Sequence, residues 1–440
     1  MARILEIADA TLIDGTSRTA LPHATLRVVD GRVAAIWQHD QRPRDAQAPA
    51  DEVVRAQGMT VLPGLIDAHC HISYGEGRSA EEVDIYGGAE WAAVRAVWNA
   101  AKVLQSGVTS FCDPGSTWNV AVTCREAIDN GMFAGPRIFA AGRHIAADGG
   151  FADYFPSWLG MPASAEGVLC STMDEMQREV RRQVRNRVDL IKISGDSQAQ
   201  ERNADTGPCM SDEEMACIVR TAHALGRKVT IHSRYAKTVA AAARAGVDWV
   251  IHASYMDTAD IGLLLDRQVP ICPTITYTAN VVQHGREVGV DPGYIDTKQR
   301  ELDSLVNVHR RAIEAGVTMM AGSEAGFSVT PYGYWHTREL ELMVELLGMS
   351  PIDAILASTR NNAQAFGWDQ DVGSLAPGRW ADLLIVDGDP LRDIRVLGDR
   401  RRIAAVYKGG EAVPRPAEVP TRRRMSHERS LAVSTGMLTR

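Results

Sequence analysis

This 440-residue sequence lacks a long apolar run and any sign of a secretory leader. No uninterrupted apolar stretch approaches the roughly 20 residues that a helix needs to cross a bilayer. The first residues, MARILEIADATLIDG, show no charged segment followed by an apolar core. These absences predict a cytoplasmic protein without a membrane partner.

An excess of positive charge is also missing. Lysine and arginine together number 47 against 55 acidic residues, which gives a formal net charge of -8. This balance argues against a nucleic-acid partner, because the polyanionic backbone selects basic proteins. The one basic cluster, formed by Arg422, Arg423 and Arg424, predicts only a solvated tail.

Paired cysteine spacings and abundant aromatic residues are absent as well. The seven cysteines are odd in number and scattered, so they predict reduced thiols rather than a disulfide framework. Aromatic residues make up only 6% of the chain, so a local cluster of them is informative. Hydrophobic residues at 45% and charged residues at 23% are typical of a globular protein.

The chain has a central region of alternating strands and helices between two strand-rich ends. Residues 58–367 contain eight short apolar runs separated by helical stretches, which predicts a (β/α)8 TIM-like barrel. Residues 1–57 and 368–415 show short strands with Gly, Pro and Asp turns, which predicts a small β-sandwich built from both termini. Residues 416–440 are predicted to be a tail. The eight runs are VLPGLID, GVTSFCD, PRIFAAG, VDLIKIS, KVTIHS, VDWVIHA, QVPICPT and GVTMMAG.

Side chains of metal-ligand type stand at the ends of five of these runs. Residues two apart on an extended strand share one face, so the first two histidines can bind one ion. Taken singly, each residue has a structural explanation, such as a core histidine or a lysine reaching the rim. Their shared position at the carboxyl ends of barrel strands indicates a functional site. The residues are His69, His71, Lys192, His232, His252 and Glu324.

Several motifs together resemble the amidohydrolase superfamily. They are VLPGLIDAHCH, IKISG, VTIHS, VIHAS, AGSEAG and VGSLAPGRWADLLIVDGDPL, and the resemblance covers about residues 5–415. Within the superfamily, HSRYAKTVAAAARAGVDWVIHAS is similar to the imidazolonepropionase-like group, which includes metal-dependent prolidases and xenobiotic amide or urea hydrolases.

The resemblance implies a site with two divalent ions, usually zinc. His69 and His71 would hold the more buried ion, and His232 and His252 the outer one. Lys192 would be carboxylated by CO2 and bridge both ions as a carbamate. An unmodified lysine is cationic near neutral pH and would repel a dication, so the modification makes physical sense. The alternative is an unmodified Lys192 beside a single ion.

The resemblance also implies catalysis by a hydroxide held between the two ions, which attacks a carbonyl carbon. Relatives carry Thr-Asp after the eighth strand, where this chain has Ser323 and Glu324. A carboxylate is kept, although it reaches farther by one carbon–carbon bond. Glu324 is therefore predicted as a metal ligand, general base and proton shuttle.

A second departure follows the third strand. Many relatives carry a histidine after two glycines there, whereas this chain has Gly149, Gly150 and Phe151. Either His144 replaces that histidine or it is a loop residue without a ligand role.

Loops after the strands are expected to select the substrate. Arg234 lies two residues beyond His232 and either clamps a substrate carboxylate or forms a rim ion pair with a local acid. Tyr255 and Tyr277 are predicted to hydrogen-bond to the substrate or to stack on it. Trp335, with Tyr332, is predicted to line the mouth of the site.

The segment GGFADYFPSWLG concentrates aromatic residues. With Phe151, Tyr154, Phe155 and Trp158, it predicts either an apolar lid over the site or a contact with a neighbouring subunit.

The predicted function is hydrolysis of an amide C–N bond in a small molecule, an N-acyl or C-terminal amino acid derivative or an aryl amide. The alternatives are a cyclic amide, urea or carbamate hydrolase, a deaminase, and a barrel that has lost catalysis and serves as a scaffold. The resemblance further implies a homo-oligomer.

Overall fold

A computed structural model describes residues 2–39 and 41–421, so most of the predicted tail and its arginine cluster lie outside the described residues. Its strands are β1 Ile4–Leu12, β2 Leu21–Val29, β3 Arg32–Gln38, β4 Glu52–Arg55, β5 Thr60–Pro63, β6 Leu65–Asp67, β7 Val108–Asp113, β8 Arg137–Ala140, β9 His144–Ala146, β10 Gly167–Leu169, β11 Leu190–Ser194, β12 Lys228–Tyr235, β13 Trp249–Tyr255, β14 Ile271–Cys272, β15 Leu383–Val386, β16 Ile403–Lys408 and β17 Glu411–Ala412. Its helices are α1 Ala80–Asp84, α2 Ala89–Gln105, α3 Val120–Asp129, α4 Met173–Arg185, α5 Gln198–Arg202, α6 Asp212–Ala224, α7 Ala236–Ala245, α8 Thr258–Asp266, α9 Ile275–His284, α10 Pro292–Ala315, α11 Arg338–Glu345, α12 Pro351–Leu356 and α13 Asn362–Phe366.

Strands from both ends of the chain form one mixed sheet. Its order is β17-β16-β15-β5-β1-β2-β3, and β4 also pairs with β1. The two ends meet where β5 pairs in parallel with β1 and antiparallel with β15. Side chains of this sheet form their own apolar core, which includes Leu5, Ile7, Leu26, Val61, Leu383 and Ile385.

The central region contains parallel strands, as predicted. One sheet has the order β6-β7-β8 and the other β10-β9-β11-β12-β13-β14, and every pairing in both is parallel. Nearly all of their residues are buried, as expected when helices cover both faces of a sheet. The α/β class predicted from alternating apolar runs is therefore confirmed.

Single bridges connect these two sheets. Ala141 pairs with Leu190, and Ile271 pairs with Met319 in the eighth apolar run. The backbone N–H of Ala68 donates to the carbonyl oxygen of Ala321 at 2.9 Å. The eighth run thus lies between β14 and the end of β6, although it forms no named strand.

The first predicted run divides between two sheets at Gly64. Its first part, β5, belongs to the terminal sheet, and only β6 belongs to the central region. A Cβ atom at Gly64 would lie 2.1 Å from Oγ1 of Thr109, so the close approach of β7 requires glycine here.

Helix ends follow their local sequence. Ser211 and Glu214 form the capping box of α6, and Thr172 and Glu175 form another at α4. Helix α7 ends at Gly246, whose φ of +87° suits a residue without a side chain.

All seven cysteines are free thiols. Within residues 2–39 and 41–421, no helix combines the length and the apolar character that crossing a membrane requires.

A buried ion pair ties the terminal sheet to the parallel strands. Arg137 at the start of β8 donates through Nε and Nη2 to the carboxylate of Asp382 at 3.0 and 3.1 Å. Asp382 is 4% exposed and also accepts from the backbone N–H of Gly409.

Replacing Arg137 by alanine should destabilise the protein by about 3 kcal/mol, because it leaves the buried Asp382 carboxylate without its cation. The measurement is the midpoint of thermal unfolding. The matched control is Arg395→Ala, which breaks an exposed pair with Asp393 and should cost at most about 1 kcal/mol. Equal midpoints for the two variants would contradict the role assigned to Arg137.

Candidate active site

The carboxyl ends of the parallel strands open into a cavity of about 880 Å³. Five of the six predicted metal-site residues line it, and the sixth, His252, contacts His232 with 3.1 Å between the facing nitrogen atoms. The six side chains predicted from the sequence therefore lie close together, and their role as metal ligands stays a prediction. The five lining residues are His69, His71, Lys192, His232 and Glu324.

His69 and His71 face each other just after β6, with 2.9 Å between their Nε2 atoms. Nδ1 of His71 lies 2.8 Å from the carbonyl oxygen of Gly115, which only accepts, so this nitrogen carries the proton of the neutral ring. Nδ1 of His69 lies 3.0 Å from the hydroxyl of Thr274, which itself donates to the carbonyl oxygen of Cys272. Burial lowers the pKa of both rings, that of His71 to about 3. The Nε2 lone pair of His71 therefore faces His69, and when His69 carries its proton on Nδ1 the two Nε2 atoms can bind one divalent cation.

Asp67 at the end of β6 holds this pair against the segment that carries Glu324. Its Oδ1 accepts from the backbone N–H groups of His69 and Ser323, both at 3.0 Å. Its Oδ2 accepts from the hydroxyl of Ser323 at 2.5 Å. Glu324 has a φ of +55°, which is rare for a residue with a side chain and is held here by its N–H bond to the carbonyl oxygen of His69.

The second histidine pair is bonded differently. His232 Nδ1 faces His252 Nε2, but the other nitrogen of His232 accepts from Nη1 of Arg234 at 2.9 Å. In a neutral ring this bond places the proton on Nδ1, where it bonds to His252. A metal ion at Nδ1 would move the proton to Nε2, with Asp196 Oδ2 at 3.5 Å as its acceptor. The first pair thus fits an ion as it stands, and the second fits one after Arg234 moves.

Lys192 is buried in β11, with 1% of its surface exposed. Burial lowers the pKa of its ammonium group to about 8. No carboxylate within the described residues forms an ion pair with it. Roughly a tenth of the amine is therefore neutral and nucleophilic at pH 7, and more at higher pH.

The Glu324 side chain completes the group. One carboxylate oxygen, a nitrogen of His69 and a nitrogen of His71 all lie within 4.8 Å of one another. Oε1 is 3.9 Å from His252 Nε2, and Oε2 has no hydrogen-bond partner. Burial raises the pKa of this carboxyl group to about 7. Glu324 is thus placed both to ligate an ion and to carry a proton.

Arg234 is buried rather than at the rim, and it belongs to a charged cluster. Its Nε donates to Glu301 at 2.9 Å, and Lys298 donates to the same carboxylate at 2.6 Å. Burial alone would raise the pKa of Glu301, but Lys298 and Arg234 lower it to about 2. Two cations therefore share the Glu301 carboxylate, and Asp196 and Glu324 also interact electrostatically with Arg234.

The predicted aromatic residues separate into two sets. Phe151, Tyr154, Tyr255 and Tyr277 line the cavity, and Phe151 stacks on the His232 ring at 4.2 Å between centroids. Trp335 does not line it, since it is packed in an apolar cluster of its own with 2% exposed.

The remaining aromatic predictions also divide. Phe155 is buried, whereas Trp158 is 88% exposed. Tyr332 is buried, and its hydroxyl donates to the carbonyl oxygen of His71, so it supports the metal-site loop rather than the mouth.

The site residues predicted from the sequence did not include Lys298, Glu301 or Asp196. The first two lie on α10, where a charged pair three residues apart is typical of a solvated helix face. Asp196 lies just after β11 and bonds the backbone N–H of Arg234 at 2.7 Å. Only its position after a strand could have identified it.

Parallel strands with paired histidines at their carboxyl ends are typical of metal-dependent hydrolases. The model of the Amidohydrolase family matches residues 60–413, and the chain belongs to this family. The family is generally metal-dependent and acts on small molecules, and its named relatives include amide-bond hydrolases.

Individual relatives match along most of the chain. Ochratoxinase of Aspergillus niger is 27% identical over 445 residues, which cover 95% of this chain and 88% of the relative. Imidazolonepropionase of Solibacter usitatus is 24% identical and covers 90% of this chain and 92% of the relative. A solved Xaa-Pro dipeptidase with bound methionine has a TM-score of 0.82 and 28% identity, covering 93% of this chain and 99% of that one.

Removal of one ring of the first pair should remove the metal. His71→Ala should reduce the bound divalent metal about tenfold or more, because one of two facing ligand nitrogens is lost. The measurement is elemental analysis of purified protein after dialysis. The control is His223→Ala, a histidine paired with Asp248 outside the cavity, which should keep the wild-type metal content. Unchanged metal in His71→Ala would contradict the assignment.

Proposed function

We propose that this chain hydrolyses an amide C–N bond of a small molecule that carries a carboxylate, at a divalent metal centre. One observation carries the proposal: the facing nitrogens of His69 and His71 share a cavity with the net positive cluster of Arg234, Lys298 and Glu301. The family supplies the reaction class, and the cluster supplies the preference for an anionic substrate.

The architecture that supports this site is proposed to be a closed (β/α)8 barrel. The bridges from β8 to β11 and from β14 to Met319, with the bond from Ala68 to Ala321, support closure of the two parallel sheets. The terminal sheet would then be a second domain, contributed by residues 1–57 and 368–415 together with β5. The rest of residues 58–367, without β5, would form the hydrolase domain.

The metal centre is proposed to hold two ions, with His69 and His71 at one and His232 and His252 at the other. When bound, the ions would polarise the substrate carbonyl and lower the pKa of a water molecule. Lys192 would join them as a carbamate, formed when its neutral amine attacks CO2 and loses one proton. Its burial and its lowered pKa support this modification.

The chain's own residues would position the substrate and move the proton. Arg234 would bind the substrate carboxylate, with Lys298 adding to the positive charge. Glu324 would take a proton on its unpartnered Oε2 and return it to the leaving nitrogen. Phe151 and Tyr277 would pack against the substrate and exclude water. Zinc as the metal, and a homo-oligomeric state, stay predictions.

Replacing Glu324 by glutamine should lower kcat by about 100-fold or more while the protein keeps its metal, because the amide cannot accept the proton. The measurement combines turnover with elemental analysis. Glu345→Gln changes an exposed glutamate on α11 and serves as the matched control. Retained activity in Glu324→Gln would exclude it as the base.

Replacing Arg234 by alanine should lower kcat/KM about 100-fold for substrates with a free carboxylate and much less for the matching carboxamides, because charged hydrogen bonds are lost only with the former. The measurement is a panel of dipeptides, N-acyl amino acids, aryl amides and aryl ureas, each as acid and carboxamide where possible. Arg244→Ala, at an exposed ion pair with Asp212, is the control. Equal losses on acids and carboxamides would contradict the clamp, and metal content would show whether His232 was disturbed.

A further inference from the structure

Two buried carboxyl groups at the cavity have no cation. Glu166 lines the cavity, and its backbone N–H donates to Oδ1 of Asp84 at 2.9 Å. The two residues are 5% and 4% exposed, yet among the described residues neither Oε2 of Glu166 nor Oδ2 of Asp84 has a hydrogen-bond partner. Within the described part of the chain, no lysine or arginine forms an ion pair with either. Buried carboxylates are normally paired, so this exception calls for an explanation.

A buried histidine beside Glu166 is also without partners. The N–H of His144, at the start of β9, donates to the carbonyl oxygen of Glu166 at 2.7 Å, and the His144 ring lines the same cavity. This side chain is 6% exposed, and neither ring nitrogen has a hydrogen-bond partner in residues 2–39 and 41–421. Burial lowers the pKa of the ring well below its usual value, so it is neutral and offers one acceptor nitrogen.

Aromatic rings flank the same place. Tyr74 stacks on the His71 ring at 4.1 Å, and both Tyr74 and Tyr154 interact with the Glu166 carboxyl group. Carboxyl and imidazole acceptors suit an organic ammonium group, which can donate several charge-assisted hydrogen bonds. A calcium or magnesium ion would instead need six or more oxygen ligands.

We infer that Glu166, with Asp84 behind it and His144 beside it, binds a protonated amino group of the substrate. The inference rests on the proposed amide hydrolysis and narrows its substrate. The amine would lie on the His71 side of the cavity and the carboxylate at Arg234 on the His232 side. The substrate class would then be an aminoacyl amino acid with a free amino terminus rather than an N-acyl amino acid.

The raised pKa values of the carboxyl pair agree with this placement. Burial is the main cause for both groups, and each is without a compensating cation. A buried carboxyl pair without a cation costs folding free energy that apolar residues would not cost. Its presence at a cavity wall therefore favours a ligand-binding role.

The test compares three compounds that share one C-terminal residue, phenylalanine. They are alanyl-phenylalanine, lactyl-phenylalanine and N-acetylalanyl-phenylalanine, and the first two differ mainly by an ammonium group in place of a hydroxyl group. At pH 7 the wild type should bind and cleave the alanyl compound about tenfold better or more than the other two. Glu166→Gln should reduce this preference to near unity while the lactyl compound keeps its wild-type values.

Calorimetric binding of the same three compounds separates this inference from the proposed function. If none is cleaved but the alanyl compound binds best in a Glu166-dependent manner, the hydrolysis of dipeptides fails and the amine site stands. If the wild type binds all three equally, or if Glu166→Gln weakens all three alike, the amine site is overturned.

Two further variants test whether a folding defect, rather than the loss of the amine site, explains the result for Glu166→Gln. Asp84→Asn should reduce the amine preference in the same direction by a smaller factor, because it acts through Glu166. Glu213→Gln makes the same chemical change on the exposed first turn of α6 and should leave the preference intact. A loss of preference in Glu213→Gln equal to that in Glu166→Gln would also overturn the inference.

Discussion

The site depends on one constraint: two buried imidazole rings face each other with their Nε2 atoms 2.9 Å apart. The Gly115 carbonyl oxygen accepts from Nδ1 of His71, so the Nε2 lone pair of this ring points at His69. Asp67 holds the backbone of His69 and that of Ser323 with the same oxygen. The first and eighth segments of the central region are therefore joined at the point where the ion would bind.

Two unusual side chains of the site are held by the backbone and by a neighbouring helix. Glu324 has a left-handed backbone conformation, and one of its carboxylate oxygens lies within 4.8 Å of a nitrogen of each histidine of the first pair. Arg234 brings a charge into a buried position, and Glu301 on α10 partly neutralises it. Each of these two buried side chains thus has a structural feature that stabilises its position.

The sequence was sufficient to predict candidate site residues that lie at the carboxyl ends of strands. Alternating apolar runs predicted the parallel strands, and residues near their carboxyl ends, such as His232, lie in the cavity because parallel strands end at one edge. Other positions depend on contacts between distant segments. Glu301 and Glu166 reach the cavity from a helix and a loop, and no local pattern reports that. Trp335 was placed at the mouth because it follows Glu324, but apolar packing buries it elsewhere.

The distribution of charge within the cavity is the strongest argument for a polar substrate with two ends. Ion pairs that serve only stability are balanced, because an uncompensated buried charge is costly. Here Arg234 and Lys298 share one carboxylate, while Glu166 and Asp84 share no cation. Both groups are buried. A bound ammonium group would stabilise the ionised form of Glu166 and Asp84, whose pKa values burial raises, and a bound carboxylate would accept hydrogen bonds from Arg234 and Lys298. A ligand with one positive and one negative group would supply both interactions at once, whereas a neutral ligand would supply neither.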